Sequence, residues 1–328
     1  MRALMFHGGS LEEATHCFPD APQPWLDLST GINPVAWSPT IAPDIDLDRL
    51  PSERSRAALE AAAAAAFGAQ HLAITALPGT ELGLRLLGGL GLPSPHRHGA
   101  PGYRTHADAL ACSGTVRIDE LGAVGDGTLL LANPNNPDGR VVAPEQMLDL
   151  ARRIARAGGV LVIDEAFADA TPEVSVLPHL TPNDRVLVFR SFGKFFGLAG
   201  VRLGFACGAA DLVAALRDRL GSWPVSAHAI ALGTAAYADA DWIADARKQL
   251  SERCGTLDAV LRRHDLEPQG AGPLFRLIED AGAQALFTSL AHRGILTRPF
   301  DYAPEWLRIG LPADAAALAR LDRALSHR

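Results

Sequence analysis

Val186-Leu187-Val188-Phe189-Arg190-Ser191-Phe192-Gly193-Lys194-Phe195-Phe196-Gly197-Leu198-Ala199-Gly200-Val201-Arg202-Leu203-Gly204-Phe205 is the stretch on which the reading of this chain turns. It opens on a continuous apolar run, the pattern of a strand buried in a parallel sheet. The run gives way at Ser191 and Gly193, and one cation, Lys194, follows among Phe and Leu side chains. Lysine is rarely fully buried unless it is paired or reactive. An apolar setting lowers its pKa and makes the amine a nucleophile able to form a Schiff base with a carbonyl. Arg202 lies a short loop further on, suited to gripping an anion such as phosphate. A snorkelling surface lysine beside a loop arginine is the competing reading of the same residues.

The composition narrows the classes of function. With 328 residues the chain can bury a large core and has room for two domains. Its 48% hydrophobic and 20% charged residues are those of an ordinary globular protein. A formal net charge of −7 argues against nucleic acid or an anionic membrane surface as partner. The Ala-rich stretch Ala57–Phe67 is too short to span a bilayer. His7, Gly8 and Gly9 interrupt any signal-peptide core, so a cytoplasmic location is expected. Cys17, Cys112, Cys207 and Cys254 are scattered, with neither a CxxC pair nor zinc-finger spacing to histidine. Free thiols and no metal site are the expectation.

Outward from the lysine, the chain before it alternates strand and helix. The arm, residues 1–48, is rich in Pro, Gly and Asp and contains His7-Gly8-Gly9-Ser10 and Leu28-Ser29-Thr30-Gly31-Ile32-Asn33-Pro34. Glycine pairs let a backbone approach a ligand, and N–H groups beside a histidine can form an anion nest; a plain flexible arm is the alternative. From Ser52 the pattern is helical to Phe67, with Gly68 as stop. A strand is expected over residues 71–75, followed by Leu77-Pro78-Gly79-Thr80-Glu81, a strand–turn–helix. Free N–H groups at that helix start make a phosphate cradle, unless Thr80 is simply an N-cap. Tyr103, after Pro101-Gly102, could stack on a planar ring. The strand Thr128–Ala132 ends in Asn133-Pro134-Asn135-Asn136-Pro137-Asp138-Gly139, where two prolines hold Asn136 at a strand end. Ligands of open α/β sheets gather at such ends. The helix from Pro144 to Ala157 leads to the strand Val160–Ile163 and then Asp164-Glu165-Ala166-Phe167. A carboxylate at the end of an apolar strand needs a cation. A neighbouring arginine or a protonated heterocyclic nitrogen can supply it. Beyond Arg202 the alternation fades into helices and a smaller α+β unit. There Arg308 stands inside an apolar strand, where an unpaired guanidinium is costly.

In order, these motifs (Gly-Thr before a helix, Asn-Pro-x-Asn-Pro-x-Gly, Asp-Glu-Ala-Phe, Ser-x-x-Lys, Arg-Leu-Gly) resemble the fold-type-I pyridoxal-phosphate enzymes of the aminotransferase class I/II superfamily. The resemblance runs from about residue 26 to residue 310. It implies an α/β fold: a large, mostly parallel sheet domain flanked by helices (49–235), a smaller C-terminal domain (236–328) and the arm (1–48) joining the latter. It also implies roles. Lys194 holds pyridoxal 5′-phosphate covalently and moves protons at the substrate's Cα. Asp164 keeps the pyridine nitrogen protonated, so that the ring is an electron sink. Asn136 meets the ring's phenolic oxygen and is also a substrate-binding residue, and Tyr103 stacks on the ring. Gly79, Thr80, Ser191 and Arg202 hold the 5′-phosphate, and Arg308 the substrate carboxylate. Two departures are visible. Phe167 stands where family members often carry a tyrosine that also meets the phenolic oxygen. Leu50-Pro51 stands where many carry Tyr-Pro, which reaches the partner subunit's phosphate.

The His7-Gly8-Gly9 opening together with Leu28–Pro34 resembles one branch in particular, which decarboxylates L-threonine O-3-phosphate in cobalamin biosynthesis. It is a close relative of the branch that transaminates histidinol phosphate. In that reading His7, Gly8, Gly9, Asn33 and Arg298 meet the substrate phosphate, and the protein works as a homodimer. Amino transfer is the alternative outcome. An inactive cofactor-binding regulator is a third reading, disfavoured because Lys194, Asp164 and Arg202 are all present.

Overall fold

The computed structural model describes residues 3–5, 7–39, 45–111 and 114–326, so Cys112 lies outside the described residues. The chain forms two compact units, one of Met1–Val35, Pro137–Gly139 and Ala246–Arg328, the other of Ala36–Asn136 and Arg140–Asp245. These limits fall at 35/36 and 245/246, against 48/49 and 235/236 expected from the sequence. The cause is local. The Trp37 backbone N–H donates to the Phe196 carbonyl (2.9 Å) and its indole N–H to Asp239 (3.0 Å). Trp242 stacks on Phe196 with ring centroids 5.5 Å apart. Both ends of the segment are thereby tied to the turn that follows Val186–Ser191.

The larger unit is built on a seven-stranded sheet. From one edge its strands are Ala73–Leu77, Gly204–Gly208, Val186–Ser191, Val160–Asp164, Thr128–Ala132, His96–Gly99 and Gly114–Val116. All neighbours are parallel except Gly204–Gly208, which runs antiparallel to the strands on both its sides. Thr128–Ala132, Val160–Asp164 and Gly204–Gly208 are buried along their whole length, as strands covered on both faces must be. Leu84, Leu130, Val162, Leu187, Phe189 and Leu216 form one continuous core on this sheet.

Local chemistry explains most boundaries. Ser52 accepts the Ser55 N–H (3.1 Å) and starts the helix Glu53–Phe67, which Gly68 ends in the left-handed region. The first strand begins at Ala73, two residues later than expected, because residues 69–72 close a turn through the Leu72 N–H and the Ala69 carbonyl (3.0 Å). Gly204–Gly208 has no counterpart among the strands expected from the sequence. Its Gly-Phe-Ala-Cys-Gly sequence has little β-propensity, and pairing on both sides overrides that.

The smaller unit carries a four-stranded antiparallel sheet in the order Arg298–Pro299, Trp306–Gly310, Phe275–Glu279, Pro268–Gln269. The arm joins it, since Leu26–Asp27 pairs in parallel with Ile295–Leu296. The helices Ala283–His292 and Ala315–Leu325 belong to this unit, the second capped by Asp314, which accepts the Ala317 N–H at 2.8 Å. Among the described residues, no helix is long and apolar enough to cross a membrane.

Candidate active site

Sheet register assembles one group of polar side chains. Ala132 lies opposite Asp164, and Asp164 opposite Phe189, so the Asn-Pro loop, Asp164 and Ser191 emerge at the same carboxyl edge. Leu77 and Ser191 are both paired with Gly204, which brings the Gly79-Thr80 turn and the start of Gly204–Gly208 to that edge too.

The Gly79-Thr80 turn has the form of an anion cradle. Gly79 is the N-cap of the helix Thr80–Leu86, with φ 87° and ψ 148°, and Thr80 is its first residue rather than its cap. A Cβ on Gly79 would sit 2.6 Å from Arg202 Nη2, so only glycine lets the guanidinium lie over the helix start. A Cβ on Gly204 would lie 2.9 Å from the Thr80 backbone nitrogen. Arg202 adopts φ 55°, is exposed, and has one guanidinium N–H on the Ala199 carbonyl (3.1 Å). Uncapped helix N–H groups under a fixed guanidinium are the donor set a phosphate dianion takes.

The adjacent carboxylates at the end of Val160–Asp164 have opposite fates. Glu165 takes the arginine. It is fully buried, 3.1 Å from Arg190 Nη1, and accepts from the Ser175 hydroxyl (2.6 Å) and the Val176 N–H (2.8 Å). Arg190 also pairs with Asp169 and covers the Phe67 ring at 4.3 Å. Burial pushes the Glu165 carboxyl up, while Arg190, Ser175 and the Val176 N–H pull the other way. Asp164 instead faces His106, whose Nε2 lies 3.0 Å from Oδ2, and accepts the Ala166 N–H at 3.2 Å. His106 is completely buried. It is not among the residues that the sequence singles out. Its signal is the i, i+3 step from Tyr103 at the start of the helix Arg104–Ala109, which places the two rings edge to face at 5.7 Å.

Three asparagines follow Ala132, and two of them brace the loop. Asn133 donates to the carbonyls of Val142 (3.0 Å) and Val174 (3.3 Å), and Asn135 to that of Pro101 (2.9 Å). Asn136 is half-buried at the loop's far end. Lys194, half-buried in the turn Phe192–Phe195, has its Nζ 6.0 Å from the centroid of the Phe167 ring. The ring beside the amine is thus apolar and offers no hydroxyl. Tyr103 donates its hydroxyl proton to Glu81 (3.0 Å), and burial above all, with the Glu81 charge, pushes its pKa up to about 12. The phenol therefore stays neutral at ordinary pH.

These eight cofactor candidates (Gly79, Thr80, Tyr103, Asn136, Asp164, Ser191, Lys194 and Arg202) all belong to the larger unit. Their chemistry fits pyridoxal 5′-phosphate: an amine, a buried carboxylate backed by a histidine, an aromatic ring, and a glycine-bounded dianion cradle.

The six other substrate candidates belong to the smaller unit. Arg298 and Arg308 are directly opposite on neighbouring strands and both are buried. Arg308 Nη2 donates to the Ser29 carbonyl (2.8 Å), and its guanidinium lies 4.9 Å from the Phe275 ring centroid. Burial first, and the Arg298 charge second, pull Arg308 down to about 9. Gly9 donates its N–H to the Ser29 hydroxyl (2.7 Å), so that amide serves the loop rather than an open nest. Gly8 packs so close to Ser29 that a Cβ would fall 2.3 Å from its carbonyl oxygen. His7 is exposed; Asn33 is buried, its side-chain oxygen accepting the Val35 N–H (3.0 Å).

Comparison with known proteins bears on this geometry. The family model for aminotransferase class I and II matches residues 106–325. A threonine-phosphate decarboxylase of Sinorhizobium sp is 40% identical, with the alignment covering 100% of this chain and 99% of that protein. One from Pseudomonas aeruginosa is also 40% identical, covering 98% and 97%. Among solved structures, a histidinol-phosphate aminotransferase from Sinorhizobium meliloti in complex with pyridoxal-5′-phosphate matches with a TM-score of 0.73 at 22% identity, over 85% of this chain and 82% of that one.

Proposed function

Because the chain belongs to the aminotransferase class I and II family, we propose that it uses pyridoxal 5′-phosphate to decarboxylate L-threonine O-3-phosphate. The products are (R)-1-amino-2-propanol O-2-phosphate and carbon dioxide. The observation that carries this reading is full-length similarity to two threonine-phosphate decarboxylases. Likeness to the histidinol-phosphate aminotransferase structure carries the fold alone.

The cofactor, when bound, supplies an electron sink for the pair left at Cα after a bond is broken. The chain's own residues do the rest. We assign Gly79, Thr80, Ser191 and Arg202 to the cofactor phosphate, Asn136 to the phenolic oxygen and Tyr103 to the ring face. Asp164, oriented by His106, keeps the ring nitrogen protonated. Lys194 would anchor the cofactor through its amine and would be the group that returns a proton to Cα.

Which bond at Cα would break depends on how the chain's own residues orient the substrate. Arg308 is assigned to the substrate carboxylate, and Arg298, Asn33, His7, Gly8 and Gly9 to its phosphate. Anchoring both anionic ends fixes the rotation about Cα, and small displacements of such anchors change rates by orders of magnitude. We further propose a cytoplasmic role in corrinoid side-chain synthesis, and a homodimer. Leu47, Leu50 and Trp223, all large and exposed, are candidates for cover by a second copy.

The test is carbon dioxide release from L-threonine O-3-phosphate by cofactor-loaded protein with no keto acid present, with Lys194→Ala as blank. Lysine-dependent release is expected. Amino transfer from histidinol phosphate to 2-oxoglutarate, with no release, would move the chain to the transaminase branch.

A further inference from the structure

Glu81 belongs to none of the roles above, yet it joins two parts of the proposed cofactor site. It is the second residue of the helix Thr80–Leu86, one position after the Gly79-Thr80 cradle. Its carboxylate accepts the Tyr103 hydroxyl (3.0 Å), the Thr105 hydroxyl (3.0 Å to each oxygen) and Arg85 Nε (2.9 Å). Tyr103 and Thr105 flank the start of the helix Arg104–Ala109, which presents His106 to Asp164. A single half-buried carboxylate therefore ties the turn facing the cofactor phosphate to the segment facing the ring and its nitrogen.

We infer that Glu81 is a positioning residue that holds the Tyr103 ring in register with the phosphate cradle; the inference rests on the pyridoxal-phosphate reading above. The chemistry favours an ionised acceptor here. Arg85, Thr105 and Tyr103 together lower the Glu81 carboxyl against the opposing effect of its partial burial. A neutral phenol donating to a carboxylate makes a charge-assisted hydrogen bond, about twice as strong as a neutral one. Phenylalanine at 103 would offer the same face but would lose the hydrogen bond to Glu81 at the far end of the ring. Glu81 touches neither substrate nor cofactor in this assignment and acts only through Tyr103 and Thr105.

The experiment compares the full-length protein with Glu81→Ala, Glu81→Gln, Tyr103→Phe and the double variant Glu81→Ala/Tyr103→Phe. Three readouts are taken: cofactor dissociation constant by equilibrium dialysis, visible circular dichroism of the bound cofactor, and thermal unfolding of the cofactor-free protein. Glu81→Ala is expected to weaken cofactor binding about tenfold, the loss expected for one charge-assisted hydrogen bond, and to change the dichroism. Glu81→Gln keeps a neutral acceptor oxygen for the Tyr103 hydroxyl, about half the charge-assisted bond, and should stay within about threefold of the parent. Tyr103→Phe should reproduce the dichroic change, and the double variant should be no worse than either single one. A lowered unfolding temperature with an unchanged dissociation constant and dichroism would make Glu81 merely structural and overturn the inference. If Glu81→Ala fails to fold, Tyr103→Phe decides, because it removes the same bond without touching the helix. Failure of the parent protein itself to bind cofactor would instead overturn the cofactor reading, and this inference with it.

Discussion

Replacing Gly79 by alanine separates two penalties that the structure places on one atom. The backbone at Gly79 has φ 87° and ψ 148°, close to a region that only glycine occupies at ease. Forcing a side chain there costs about 1–3 kcal/mol. In a unit of this size that corresponds to roughly 2–4 °C in Tm for each kcal/mol. The second penalty is local: the new Cβ would lie 2.6 Å from Arg202 Nη2, and the guanidinium must move off the cradle. Loss of one charged hydrogen bond to the cofactor phosphate costs about 1.5–3 kcal/mol, or ~10- to 100-fold in dissociation constant. The control is Gly91→Ala. Gly91 has φ 65°, and no heavy atom lies within 4 Å of where its methyl group would stand, so it carries strain without collision. Thermal unfolding of cofactor-free protein and equilibrium dialysis with pyridoxal 5′-phosphate are measured for both. Both variants should lose Tm, and only Gly79→Ala should lose affinity. Equal affinities in the two variants would refute the assignment of Arg202 and the Gly79 turn to the phosphate.

Three further outcomes follow from the same geometry. Arg190→Met leaves Glu165 and Asp169 buried without their cation, and should cost about 3–5 kcal/mol in urea unfolding. A loss under about 1 kcal/mol would mean that solvent reaches the cluster. Asp164→Asn keeps a hydrogen-bonding partner for His106 but removes the charge; carbon dioxide release should fall roughly 10²- to 10³-fold, with cofactor still bound by spectrophotometry. Tyr103, raised to about 12 in the fold against 10.0 unfolded, favours the native state fully below pH 10. That contribution is lost as pH rises through 12, so the stability gap between parent and Tyr103→Phe in urea titrations should narrow between those values. A gap that widens there would contradict the buried, neutral phenol.

The cofactor candidates were legible as candidates because they sit at points where local chemistry announces itself. A lone lysine after an apolar strand, a carboxylate at a strand end and a glycine before a helix each violate the surrounding pattern, and such violations need a reason. Register then does what spacing cannot. Parallel pairing of Ala132 with Asp164 and of Asp164 with Phe189 converts separate motifs into neighbours. The hidden parts are those where the chain breaks no local rule. His106 reads as one more residue of a short helix, and only the fold shows it against Asp164. Glu81 has the ordinary look of an acidic first-turn residue, which the helix dipole alone would explain. Its tie to Tyr103 spans 22 positions and has no periodicity to betray it. The contrast is sharpest at Asp164-Glu165. Sequence allows either carboxylate to meet an arginine or a heterocycle, and alternation along the strand end sends them to opposite sides. Burial with Arg190 consumes Glu165, which leaves Asp164, backed by a histidine, as the carboxylate with chemistry still to do.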